Sequence, residues 1–209
     1  HNSLFNEIIW FYPSGKPLIS PSVQNNRSVV YNYVENVWSV MSLARSSYED
    51  ASTYDKPYAT EYNATAIPST TNLSGATNKF GASIFYEHET GVNEVELNGT
   101  QNAIPAYIQS GDFDIALEGD GEYLMRISRF FPDFKNLEGN AIITIFLKDF
   151  PTNTGASSLL GPFTINSSTE KVDTRARGRF ANLKIENVGI NENWRFGTFR
   201  ADVNPDGRR

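Results

Sequence analysis

Residues Ile142-Ile143-Thr144-Ile145-Phe146-Leu147 place apolar side chains on both faces of a pleated strand. A strand of that kind has to be covered on two sides, so it belongs in the middle of a sheet with a second layer against it. The rest of the chain supplies material for such layers. Apolar and aromatic runs of about six residues recur between Gly, Asn and Pro punctuation, and the aromatic share of 13% leans the same way. The expectation is an all-β chain of antiparallel sheets.

The runs can be placed individually. Ile8-Ile9-Trp10-Phe11-Tyr12 is closed by Pro13-Ser14-Gly15 and reads as a strand followed by a turn. Residues 29–34 and 37–43 flank Glu35-Asn36 and read as a hairpin, with Val34 opposite Val37 and with Tyr31 and Tyr33 on one face with Trp38 and Val40. Three such strands resemble a propeller blade or one sheet of a sandwich, and their open edges call for further strands or a neighbouring subunit. Residues 83–88 and 92–97 around Glu89-Thr90-Gly91 read as a second hairpin, with Val95 and Leu97 on one face and Glu94 and Glu96 on the other. Further strands are expected over 106–108, 123–131, 141–148, 162–165, 172–185 and 194–203.

The stretch 172–185 carries a phase conflict. Val172, Thr174 and Ala176 have one parity, and Ala181, Leu183 and Ile185 the other. A β-bulge at or near Gly178 would resolve it. By composition the chain divides into a partial propeller-like blade at 1–50, a polar linker or loop at 51–80, and a β-sandwich-like region at 81–209. It opens on His1 rather than Met and is read as a fragment of a longer polypeptide.

Several chemistries are excluded or disfavoured. The absence of cysteine removes disulfides, zinc-thiolate sites and a thiol nucleophile. No apolar run approaches the roughly 20 residues of a membrane-spanning helix, and no leader-like region is visible, so no membrane partner is expected. With 24 acidic and 18 basic side chains, the net charge of −6 argues against a grip on nucleic acid. The acidic stretch from Asp112 and Asp114 to Glu118, Asp120 and Glu122 lacks the ligand spacing of an EF-hand and reads as a solvated turn, so no metal is expected. His88, among glutamates, reads as a surface histidine rather than a catalytic base, and no carboxylate pair stands out; no catalytic residue and no cofactor is assigned. Trp10, Trp38 and Trp194 read as core, with a sugar-stacking platform as the rival reading. Arg175, Arg177 and Arg179 share one strand face and, with Arg208 and Arg209, form a basic set suited to pairing with carboxylates between strands or between subunits, at an assembly interface.

Two groups of residues carry a resemblance. The first is Glu7 to Pro13, Asn26-Arg27-Ser28-Val29-Val30-Tyr31-Asn32-Tyr33, Val37-Trp38-Ser39-Val40 and Leu43-Ala44-Arg45. The second is Asp112-Phe113-Asp114-Ile115, Phe131-Pro132-Asp133-Phe134, Arg175-Ala176-Arg177-Gly178-Arg179, Trp194-Arg195-Phe196-Gly197 and the closing Asp202-Val203-Asn204-Pro205-Asp206-Gly207-Arg208-Arg209. In this order they resemble the C-terminal part of the tail nozzle (tail tubular protein B) or packaged-DNA stabilisation proteins of short-tailed bacteriophages. The resemblance implies a virion protein without catalytic residues. It would form a ring of identical subunits docked on a tail adaptor or connector, through which double-stranded DNA is retained and later ejected without specific binding. The alternative from residue content alone is a carbohydrate-binding or glycan-processing β-sandwich.

Overall fold

The computed structural model describes residues 1–13, 25–63, 82–96, 98–116, 123–150, 152 and 154–208. All the regular structure among them is β-strand, and every pairing is antiparallel. The chain divides into two compact units, His1–Thr90 and Gly91–Arg209.

In the first unit β1 (Glu7–Tyr12), β2 (Arg27–Asn32) and β3 (Val37–Met41) form a three-stranded sheet in that order. The β2–β3 register is Asn32↔Val37 and Tyr31↔Trp38, two residues tighter on β2 than the expected Val34↔Val37 pairing. Asn32 is the cause. Its Oδ1 accepts from the Val34 and Glu35 backbone N–H groups, at 3.1 and 2.9 Å, and Asn36 takes φ 54°, so residues 33–36 form the turn. A shift of two preserves side-chain parity, so Tyr31 still shares a face with Trp38 and Val40. A second sheet holds β4 (Ser47–Glu49), β5 (Tyr58–Asn63) and β6 (Ala82–Glu87).

β5 lies inside the span 51–80 expected as linker, and the unit boundary falls at Thr90 instead. The expected 83–88/92–97 hairpin is also corrected. β6 pairs with β5, where Tyr58 and Phe85 stack at 5.2 Å, and β7 (Asn93–Val95) pairs with β8 (Gln101–Ala103). The signal for the β7–β8 turn is Asn98-Gly99. Gly99 has φ 83°, and Asn98 Oδ1 accepts from the Thr100 N–H at 2.8 Å. Leu97, expected to share a face with Val95, lies outside the described residues.

The second unit is organised around two further sheets. One runs β13 (Val172–Gly178), β10 (Tyr123–Glu138), β15 (Asn193–Arg208). The other runs β12 (Ser158–Ile165), β11 (Ala141–Lys148), β14 (Phe180–Asn187), β9 (Ala106–Gln109). Met125, Ile127 and Phe130 from the first meet Ile143, Ile145, Leu147 and Ile185 from the second in one apolar cluster. Burial of each such side chain contributes roughly 1.5–3 kcal/mol. β11 is central in its sheet, as its apolar content on both faces requires. Pro132 is tolerated in β10 because β13 stops opposite Phe130, which leaves that side of β10 without a ladder.

The phase conflict in 172–185 is resolved by a change of sheet, correcting the expected bulge at Gly178. β13 ends on Gly178 in one sheet and β14 begins at Phe180 in the other, so the two parities bury against different neighbours. Gly178 matters for close approach rather than for an unusual φ, since a Cβ there would lie 3.2 Å from Leu147 Cβ. The register shift on β10 falls between Ile127 and Arg129, against both β13 and β15. The Thr174 hydroxyl, buried there, donates to the Ile127 carbonyl at 2.7 Å.

Gly161 is the glycine with least freedom to change. It holds φ 103°, and a Cβ would sit 2.9 Å from the Ile143 carbonyl oxygen, where β12 shifts register against β11. Gly161→Ala is expected to destabilise the 91–209 unit by about 2–3 kcal/mol. A chemical-denaturation midpoint no lower than that of the unsubstituted protein would contradict it.

Candidate interaction surfaces

The outer face of β1–β2–β3 is built by strict alternation. Ile8, Trp10 and Tyr12 on β1, Val29 and Tyr31 on β2, and Trp38 and Val40 on β3 share it. Trp10 is 47% exposed and Trp38 63% exposed, which corrects the expectation that both are core. Their rings are near-parallel at 5.8 Å and 20°, and Tyr31 stacks on Trp38 at 4.5 Å and 25°. Trp194 does pack on the core. Its ring meets Phe134 edge-on and its Nε1 donates to Asn187 Oδ1 at 3.0 Å. Large rings are normally hidden, and a contiguous exposed set on an uncharged face marks an interaction surface.

A polar cluster lies between the two sheets of the same unit. The Arg45 side chain is buried, donating from Nε to His88 Nε2 at 3.0 Å, to Glu61 Oε2 at 3.1 Å and to the Ala44 carbonyl at 2.6 Å. Its guanidinium stands 3.9 Å over the Tyr86 ring. His88 is half-buried, not at the surface as expected, because its backbone N–H donates to the Pro57 carbonyl and draws it under the sheet. Burial, then the Arg45 charge, push His88 down to about 4. It is a neutral acceptor at pH 7, and Arg45 holds the proton between them. Burial, then the charges of Glu89, Asp50 and Glu7, push Tyr48 up to about 12. Burial and Glu89 also raise Glu7. The arrangement ties strands together and presents no nucleophile.

Arg175 and Arg177 stand on the exposed face of β13 with the expected period of two. Arg179 does not join them, because the chain has already left β13; it is half-buried, 5.9 Å from the Phe150 ring. Arg177 Nε pairs with Asp206 at 2.6 Å and Arg129 with Asp202 at 3.1 Å, the inter-strand pairing the arginine pattern suggested. Exposed pairs of this sort contribute at most about 1 kcal/mol each. The main chain of Arg208 lies opposite Tyr123, and Arg209 is outside the described residues.

Among the described residues no group of three His, Cys, Asp or Glu could hold a metal ion. Asp112 pairs with Lys148 at 2.6 Å and Asp114 Oδ1 accepts from the Ala116 N–H at 3.2 Å. Glu118, Asp120 and Glu122, the remaining acids of that stretch, lie outside the described residues. No protein-family model matches the chain, and it has no match among curated proteins.

Proposed function

We propose that this chain is a structural, non-enzymatic part of a bacteriophage tail, from the nozzle that retains packaged DNA and lets it leave. In this reading β1–β3 are a partial propeller-like blade, and the paired sheets of 91–209 a sandwich-like region. Copies form a ring on a tail adaptor protein. The observation that carries the reading is the ordered set of sequence blocks, from Glu7-Ile8-Ile9-Trp10 to the closing Asp202–Arg209 segment, on a scaffold of antiparallel sheets. The open aromatic face of β1–β3 supports assembly, and the net charge of −6 suits a conduit wall along which DNA moves without being trapped by phosphate contacts. A reconstruction of the particle carrying this protein tests it. Ring density at the portal-distal end of a tail is the expected result, and density elsewhere, or a protein monomeric both alone and on virions, overturns it.

The exposed Trp10–Trp38 pair also favours a second reading, a carbohydrate-binding sheet. Glycan-array binding that disappears in Trp10→Ala and Trp38→Ala would support it, and a clean absence of binding retires it.

A further inference from the structure

We infer that copies of this chain join head to tail by strand pairing, β3 of one copy against β1 of the next, so that their aromatic faces run on as one surface. The inference rests on the ring reading above, since a head-to-tail contact must close to be finite.

The hydrogen bonds of Glu7 show which backbone groups are open. Its N–H donates to the Asn2 carbonyl at 3.0 Å and its carbonyl accepts from the Asn2 N–H at 2.8 Å, so both Glu7 groups point away from β2. Antiparallel ladders alternate, so the groups of Ile9 and Phe11 point outward as well, while those of Ile8, Trp10 and Tyr12 point to β2. Carried across the β2–β3 register, the same alternation turns the N–H and C=O of Trp38 and Val40 to the far edge. Among the described residues nothing pairs with Trp38 and Val40 there, nor with Ile9 and Phe11 on the opposite edge.

Natural edge strands are blunted by charge, proline or bulges. Val37-Trp38-Ser39-Val40-Met41 has no charge and no proline, and both ladders of the sheet are in continuous register. The row of unpaired groups specifies a β-strand as its partner, and β1 is a strand whose own outer edge is open.

A second copy generated by rotation about an axis along the strands keeps both strand direction and face. β1 and β3 run parallel, each antiparallel to β2, so this contact is a parallel ladder. In a parallel ladder a residue with outward groups stands beside one whose groups point away, bonding to the two residues flanking it. Trp38, with outward groups, therefore falls beside an even-numbered residue of β1 such as Trp10, flanked by Ile9 and Phe11. Both are on the outer face, so hydrogen-bond phase and apolar face agree. A twofold β3–β3 contact would also match faces, but it leaves β1 open in every copy. Only the head-to-tail contact uses both edges.

The chain has no cysteine, which makes the test direct. The intact protein is weighed by native mass spectrometry as the unsubstituted form, as Val40→Pro and as Val40→Lys. Val40→Pro removes one edge-facing N–H and leaves the β2 ladder whole; Val40→Lys places a charge on the edge. The expected result is a closed oligomer that falls to single chains in both variants, with unchanged circular dichroism. Under oxidation, Tyr12→Cys combined with Val40→Cys should give a ladder of cross-linked chains, and neither single substitution should. Dimers from Val40→Cys alone would show twofold pairing and overturn the inference. An oligomer indifferent to Val40→Pro and Val40→Lys would overturn it while leaving the ring reading intact. A single-chain mass for the unsubstituted intact protein, on and off the particle, would remove both.

Discussion

Phe130→Ala is expected to lower the unfolding free energy of the 91–209 unit by about 3–5 kcal/mol, the largest single-residue effect anticipated for this chain. Phe130 has no solvent exposure and its ring meets Phe163 and Phe199, each at 5.7 Å. It lies where β10, β13 and β15 are all paired, facing the Ile143–Ile145 layer of the opposite sheet. Neighbours held in strands on two layers cannot collapse into the space, so the cavity term adds to the lost transfer energy. Tyr107→Ala, at a site 69% exposed, should shift stability by less than about 1 kcal/mol. Urea unfolding followed by tryptophan fluorescence would report both, Trp194 lying on the same core. A Phe130→Ala loss below that of Tyr107→Ala would contradict the two-layer packing.

Acidification should loosen the 1–90 unit before carboxylates begin to titrate. His88 is held at about 4 in the folded chain, below its ordinary value near 6.5, by burial and by Arg45. The unfolded chain therefore binds the proton first. Stability from the neutral ring is complete above about pH 6.5, falls as pH drops towards 4, and levels off below that. The site is only half-buried, so after solvent screening the loss is on the order of 1–2 kcal/mol. Glu7, whose folded value is raised, acts in the opposite sense at lower pH and returns part of it. Replacing His88 with Gln, which keeps an acceptor for Arg45, should flatten stability between pH 6.5 and 4.5. Arg45→Met is predicted to cost about 2–4 kcal/mol, since it strands Glu61 and His88 together, and to move the His88 titration upward in an NMR pH series. An unchanged His88 titration would show that Arg45 does not set it.

β11 was legible because Ile142 to Leu147 satisfy only a central strand, and β1, β2 and β3 because their apolar runs end in residues that turn. The buried Arg45–His88–Glu61 contact joins residues up to 43 positions apart, and no local pattern announces it. His88 among glutamates looks exposed until the Pro57 carbonyl captures its N–H. Trp10 and Trp38 look like core by composition, and only the absence of a layer over that face, among the described residues, makes them surface.

Alternation within a strand is a local property, since successive side chains point to opposite faces whatever surrounds them. It was enough to establish all-β character, the turn-bounded strands and the shared parity of Tyr31, Trp38 and Val40. Partner choice is not local. Residues 83–87 could pair forward or back, and the presence of Tyr58 and its neighbours as a ready strand decided it. The parity conflict at 172–185 showed that something breaks near Gly178, but a bulge and a change of sheet give the same pattern in sequence. Close approach of Gly178 to Leu147, and separate partners for β13 and β14, required the packed layers to be in place.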